Sequence, residues 1–539
     1  MRSLPLTGRR LAVAVGALAV VGLAASSMAA SAATTHSSAA THSSAATTLV
    51  VDKSFDLKTS DPQRQFEPTG GIIDHALYDT LLKFVGADVS HPKPDAALSY
   101  KASADAKTYT FRLRKNIKFS DGTPLTSKDV VFSFKRLVNL KGNPSFLLAG
   151  ITTTAKGPYT VVLTSKTPNP AIPVLVANTS LGIVNSKVVM AHGGSDAANA
   201  DKVDKAEGYI NAHSVGSGPY VLKSFSTSSQ VVLTANPTYW GVKPKFSQVI
   251  VRNVLPATQL LDVQRGTNEI ALDLSPDQAK TLGSSVKVAQ TPSPNVFFLF
   301  ANDNPKISAT SSNEHIQNAI RYGIDYSGLA SIAGAGAVQA AGVVPSMFLG
   351  ALKPGSGDKT DLAKAKAEVA ASGISNPTMN LEYPTGFSSN GLDFGVLAQS
   401  VQSALSKIGI TVNLQGSALT TSLATYRAGT EQMGLWYWGP DYPDPNDYLA
   451  FLPGATVGLR AGWPAGSNVA LEALGKKASA MVSAKKRASA FQQIQNTMNA
   501  SGPFYPLLQP GQVTVGSKNL TNYPYNALYW LDVSGVGGN

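Results

Sequence analysis

The chain has 539 residues, no cysteine, 14% charged residues and a formal net charge of +12. Its length exceeds one ordinary core and predicts two or three domains. The absence of thiols excludes disulfides, thiolate metal sites and cysteine nucleophiles. The positive charge is scattered as single Lys residues without a basic run, so no nucleic-acid partner is expected.

Arg9 and Arg10 precede an apolar run over 11–25, and small residues follow, with a cleavage option at Ala30-Ser31-Ala32. This is the layout of a secretory signal peptide over 1–32. The apolar run is shorter than the roughly 20 residues a spanning helix needs. Removing Arg2, Arg9 and Arg10 with it lowers the net charge from +12 to +9. With no Cys at the cut there is no lipid anchor. The expected location is extracytoplasmic, secreted or held by an uncleaved N-terminal segment. Residues 33–48 repeat THSSAA and read as a flexible tether. His36 and His42 within it read as inert.

The folded part opens at Leu49-Val50-Val51 as a short buried strand. After the turn Ser60-Asp61-Pro62 and the bend Thr69-Gly70-Gly71, Ile73, Leu77, Leu81 and Phe84 recur at helical spacing over 72–84. An alternating strand follows at 109–118. Asp121-Gly122 then makes a turn, and Thr126 or Ser127 caps a helix with Val130, Val131, Phe134 and Leu137 on its apolar face. Residues 151–190 read as short strands confined to edges by Pro168, Pro170 and Pro173, and 191–209 as a polar connection. Further strands are expected at 229–235 and 249–254 and a helix at 258–266. Beyond residue 300, helices at 315–324, 361–371 and 392–408 alternate with strands at 379–383, 411–414 and 433–438. That alternation implies an α/β lobe. A helix at 485–498, a strand-rich run at 504–508 and an exposed Gly-rich end complete the chain.

The stretch WYWGPDYPDPNDY (436–448) stands out. Trp436, Tyr437, Trp438, Tyr442 and Tyr448 surround Asp441, Asp444 and Asp447, with Glu431 just upstream. Pro440, Pro443 and Pro445 fix φ and remove backbone donors, so the segment is a rigid loop rather than a helix or central strand. Aromatic faces beside a fixed anion suit a cationic, partly apolar ligand. The competing reading is a Pro-rich surface turn with solvated acids.

Several pieces recur together in one family. FRLRKNIKFSDGTPLTSKDVVFSFKRL (111–137), VGSGPYVL (215–222), NPTYWG (236–241), IQNAIRYGIDY (316–326), DLAKAKAEVAASG (361–373) and WGPDYPDPNDYL (438–449) occur in family order. On these motifs the chain resembles the solute-binding proteins of bacterial peptide ABC importers, the peptide/nickel-type class that includes oligopeptide- and dipeptide-binding proteins. The resemblance implies an α/β, two-lobed periplasmic-binding-protein-like fold with two crossover segments and an extra subdomain inserted in the first lobe. The expected partition is 49–84, 209–290 and 500–539 for the first lobe, 85–208 for the inserted subdomain and 291–499 for the second lobe. The crossovers fall near 290–300 and 496–508, with a ligand held between lobes that close by a hinge.

The resemblance also implies site residues. Asp441 matches the Asp that holds a peptide's α-ammonium group, and nickel-chelate binders lack it. Trp438 matches a pocket Trp, with Tyr437 beside it, while Trp436 is assigned to the core. Asp444 and Asp447 are assigned to the turn. Further contacts are expected from Glu382 and Tyr383 at a strand end, from Asn295 and Phe297 on the first crossover, and from Thr69 and Gly70 in the first-lobe bend. The pattern departs at Leu419, where the oligopeptide binder has a Trp, and at Leu435, where it has an Arg that meets the peptide carboxylate. Arg427 is the candidate substitute. Asp121-Gly122, Gly216, Gly218 and Pro219 are assigned to the fold. The expected partners are a peptide or other small amine-containing solute and the permease and ATPase of an importer, with the protein itself a monomer. The alternatives are a metal-chelate binder or a peptide sensor of the same fold. A secreted hydrolase is disfavoured, because no G-x-S-x-G, H-E-x-x-H, phosphate loop or dinucleotide fingerprint occurs. No cofactor or metal site is expected, since His75, His91, His192, His213 and His315 do not pair at ligand spacing.

Overall fold

The computed structural model describes residues 47–538; the expected signal peptide and nearly all of the expected tether lie outside the described residues. No helix among the described residues is long and apolar enough to cross a membrane.

Two sheets organise the chain. The first has seven strands, in the order Val286–Pro292, Gly511–Ser517, Glu269–Ala271, Thr48–Lys53, Gln248–Asn253, Gln230–Ala235 and Tyr220–Phe225. Thr48–Lys53 runs parallel to both of its neighbours, Gln248–Asn253 and Glu269–Ala271. The second has six strands, in the order Val338–Gln339, Phe504–Gln509, Val296–Ala301, Met433–Trp438, Thr378–Thr385 and Thr411–Ala418. Its strand Val296–Ala301 reads VFFLFA and is buried throughout. Phe297 and Leu299 face one core, with Ile316, Ile320 and Leu397 from the helices Glu314–Gly323 and Phe394–Ser406. Phe298 and Phe300 face the other core, with Phe491 and Ile494 from the helix Ala484–Ser501. An apolar run without polar alternation is what burial on both faces requires.

The chain passes from the first sheet to the second between Pro292 and Val296, inside the expected first crossover. It returns at Pro510, later than expected, because Phe504–Gln509 pairs with Val296–Ala301 in the second sheet. The two passages are tied together: Ser293 N donates to Pro510 O at 2.8 Å and Gln509 Nε2 donates to Ser293 O at 2.9 Å.

Within 85–208 lies a four-stranded antiparallel sheet, Ala97–Ala102, Thr108–Leu113, Thr160–Ser165 and Ile151–Ala155. The helix Ser127–Asn139 starts at a capping box, where Asp129 Oδ2 accepts from Thr126 N at 2.8 Å. The expectation of edge strands through residue 190 is corrected. Thr160–Ser165 is interior, and the prolines come after it, with Pro173 in the first turn of the short helix Ile172–Leu175. A helix tolerates proline there because that N–H has no intrahelical partner.

The helix expected over 72–84 is also shorter and earlier, Pro68–Leu77, and Leu82–Val85 is a strand. The stop is tertiary: Gly218 N donates to Leu77 O at 3.0 Å. A Cβ on Gly216 would lie 2.1 Å from that same carbonyl oxygen, so the backbones of the two segments are in direct contact. Gly216→Ala is therefore expected to destabilise the fold by about 1–3 kcal/mol, read as a lower urea midpoint by circular dichroism. An unchanged midpoint would contradict the close approach.

The Gly-rich end is not exposed as a whole. Tyr529, Leu531, Val533 and Val536 are buried, the last three in the first-lobe core, and Tyr529 stacks on His75 at 3.8 Å.

Candidate functional site

A cavity of about 770 Å³ lies where the two sheets meet. The first sheet and its connections contribute Ser54, Glu67, Asp273 and Gln512, the C-terminal segment Tyr525 and Trp530, and the inserted subdomain Asn178 and Ser180. From the second lobe come Asn295, Asn390, Tyr437 and Asp441.

The strand Met433–Trp438 delivers the aromatic-acidic loop to the cavity wall. Side chains two residues apart on a strand share a face. Trp436 and Trp438 accordingly both turn toward one core, and Trp438 packs edge-on against Phe451 at 5.6 Å. Trp438 is thus not a cavity wall. Tyr437, on the opposite face, lines the cavity and stacks at 5.5 Å on Phe297, which is fully buried beneath it. Phe297 supports the wall rather than forming it.

The loop's acids divide by partner. Asp444 is buried and bidentate with Arg487, with Nη1 donating to Oδ2 at 2.8 Å, and it also accepts from Asn446 N at 2.9 Å. Asp447 Oδ2 accepts from Trp438 Nε1 at 2.9 Å and from Asp441 N at 3.3 Å. Burial, with the neighbouring Asp441 charge adding to it, pushes the Asp447 carboxyl up to about 8. Asp447 therefore fixes the backbone of Asp441. The Asp441 carboxylate itself has no hydrogen-bond or ion-pair partner among the described residues, and burial raises its pKa. Glu431, upstream, accepts from Trp436 Nε1 at 2.9 Å inside the core, and burial pushes it up to about 8.

Asn295 lines the cavity and links to both lobes. Its Nδ2 donates to Asn390 Oδ1 at 2.8 Å, and Asn390 Nδ2 donates to Gln512 Oε1 on the first sheet at 2.9 Å. Asn390 and Gly391 form the tip of a hairpin between Ser388–Ser389 and Leu392–Asp393, with φ of 51° and 77°. Asn-Gly is the sequence signature of such a turn, a signal that could have located Asn390.

The remaining expected site residues lie elsewhere. Glu382 points beside Glu431, where burial pushes it up to about 7, and Tyr383 packs on the second-lobe core. The strand Thr378–Thr385 is separated from the cavity because its partner Met433–Trp438 lies between it and the crossover strand. Thr69 is buried, its N–H donating to Asp56 Oδ1 at 2.9 Å, and Gly70 is covered by the Gln65 side chain; Gly71 reaches the cavity instead. Arg427 is exposed on the helix Leu419–Ala428 and does not replace the missing cation at Leu435, which is fully buried.

The model for bacterial extracellular solute-binding proteins, family 5 (middle region), matches residues 91–458. The probable D,D-dipeptide-binding periplasmic protein DdpA of Escherichia coli is 28% identical over 492 residues, covering 89% of this chain and 92% of the relative. The periplasmic oligopeptide-binding protein OppA of Escherichia coli is 26% identical, covering 75% of this chain and 76% of the relative. Among solved structures, HbpA2 from Haemophilus parasuis superposes with a TM-score of 0.79 at 20% identity, covering 91% of this chain and 100% of that one. The periplasmic binding protein DppA from Helicobacter pylori, in complex with the peptide STSA, gives 0.70 at 20% identity, covering 91% and 98%.

Proposed function

The chain belongs to the bacterial extracellular solute-binding proteins of family 5, and on that premise we propose that it captures a peptide, or another solute bearing a primary ammonium group, between its lobes. It acts outside the cytoplasm as a monomer and passes the ligand to the permease and ATPase subunits of an ABC importer. The chemistry is binding rather than transformation. The single observation that carries this reading is the Asp441 carboxylate, partly buried at the cavity wall with no protein partner. A buried unpaired carboxylate is costly, and an ammonium group repairs it with a charge-assisted hydrogen bond. The cavity's roughly 770 Å³ fits a small peptide-sized solute. The relatives, a probable D,D-dipeptide binder and an oligopeptide binder, support the same ligand class.

Native mass spectrometry of protein purified without denaturation tests it. The expected spectrum contains a retained small ligand whose fragmentation reveals a primary amine. A retained ligand with no basic nitrogen would overturn the reading.

A further inference from the structure

The cavity's charge also bears on the far end of the ligand. Among the described residues, its lining contains three acids, Glu67, Asp273 and Asp441, and no Lys, Arg or His, although the whole chain carries +12. The ammonium groups that touch these acids are already engaged. Lys58 pairs with Glu67, and Lys53 Nζ meets Asp273 Oδ1 at 2.6 Å while lying 4.5 Å from the centre of the Trp530 ring.

Other positive features are likewise occupied. The helix Pro68–Leu77 starts at the cavity wall, and its N-terminal dipole would favour an anion. Glu67 stands at its cap, and Asp56 Oδ1 accepts from Thr69 N at 2.9 Å, so two carboxylates of this chain sit there. Two neutral donors of the lining, Gln512 and Ser180, are engaged as well. Gln512 Nε2 donates to Leu272 O at 3.0 Å and to Val513 O at 3.1 Å, and Ser180 Oγ donates to Gln65 O at 2.8 Å.

We propose that the site takes an amine-bearing ligand whose other end is uncharged, in the manner of a peptide with an amidated carboxyl group, rather than a zwitterionic peptide. This rests on the ammonium reading of Asp441. A free carboxylate entering the cavity would lose its hydration without gaining an unengaged cation from the lining. A carboxamide carries no charge to desolvate and brings its own N–H donors to the acceptor-rich wall.

The experiment is a competition on the full chain, read by native mass spectrometry. Three equimolar tripeptide pools of identical sequences are used: free acids, C-terminal N-methylamides, and N-methylamides that are also N-acetylated. The expected result is that the methylamide pool is retained about tenfold over the free acids, a difference of ~1.4 kcal/mol, and that the N-acetylated pool is not retained. Equal or preferential retention of the free acids overturns the uncharged-end inference and leaves the ammonium reading standing. Retention of the N-acetylated pool, or of no pool at all, overturns both.

Discussion

Asp441→Asn is expected to weaken an amine ligand by about 1.5–3 kcal/mol, roughly 10- to 150-fold, with little change in the stability of the ligand-free protein. The Asp441 side chain makes no hydrogen bond that holds the fold; it is the backbone N–H that is anchored, on Asp447. Asparagine preserves that anchor and the side-chain volume while removing the charge that faces the ammonium group. The same substitution lifts the Asp441 charge from Asp447, so the latter becomes easier to ionise. A pH signature accompanies the loss. Binding an ammonium group requires ionised Asp441, whose pKa burial raises above the ordinary carboxylate range. Wild-type affinity therefore falls as pH drops through that raised pKa, whereas the Asn variant lacks this acid limb. Titration calorimetry across a pH series measures both effects, and unchanged affinity at neutral pH would remove Asp441 as the anchor.

Arg136→Met is expected to cost about 3–5 kcal/mol of stability near neutral pH, because it takes the buried guanidinium from two buried carboxylates and leaves them only the partly exposed Arg64, 3.4 Å from Asp61 and 3.1 Å from Asp204. Arg136 is fully buried on the helix Ser127–Asn139. It donates to both oxygens of Asp61, at 2.7 and 2.6 Å, and to both oxygens of Asp204, at 2.8 and 3.0 Å. A further bond reaches Gln63 Oε1 at 2.8 Å. These contacts join the inserted subdomain to the loop that leads into the helix Pro68–Leu77, which starts at the cavity. Burial alone would raise the Asp204 carboxyl, but Arg136 outweighs it and holds the group down to about 2.

A depressed acid stabilises the native state fully above its unfolded pKa, and that contribution disappears as pH falls through the folded one. For Asp204 the window runs from near 4 down to about 2. In the Met variant Asp204 loses its main cation and takes up a proton at milder acidity. The gap between variant and wild type should therefore narrow from pH 7 toward pH 4. Urea unfolding at the two pH values reads this directly, and a constant or absent gap would rule out the charge argument.

How far the sequence could be read follows the range of the interactions involved. The helix capped at Thr126 and the alternation of strands and helices beyond residue 300 each depend on neighbours a few positions away. Periodicity and turn chemistry report such local physics, and these elements emerged close to their expected bounds. The rigid loop could be read only in part: prolines and clustered acids pointed to it and it reaches the cavity at Asp441, but 436–438 finish the interior strand Met433–Trp438 and Pro445 opens the 3-10 helix Pro445–Phe451.

The individual site residues were less legible. Trp438 faces the core because it shares a strand face with Trp436, while Tyr437 takes the cavity side. Which face of that strand meets the cavity depends on how the two sheets dock, and no stretch of the strand encodes it. Glu67, Asp273, Gln512 and Trp530 come from segments far apart in the chain, and nothing local marks any of them as cavity lining. The helix end at Leu77 likewise depends on a glycine backbone arriving from Gly216 and Gly218.

The sequence alone determined the family, the α/β alternation and the loop that carries an unpaired carboxylate, because each rests on contiguous residues and local backbone preferences. The tertiary structure decided which of the loop's acids stays without a partner. Arg487 takes Asp444, and the Trp438 indole and the Asp441 amide take Asp447. Asp441 is left without a partner among the described residues because the charges and donors that could satisfy it were placed elsewhere by the packing of distant segments.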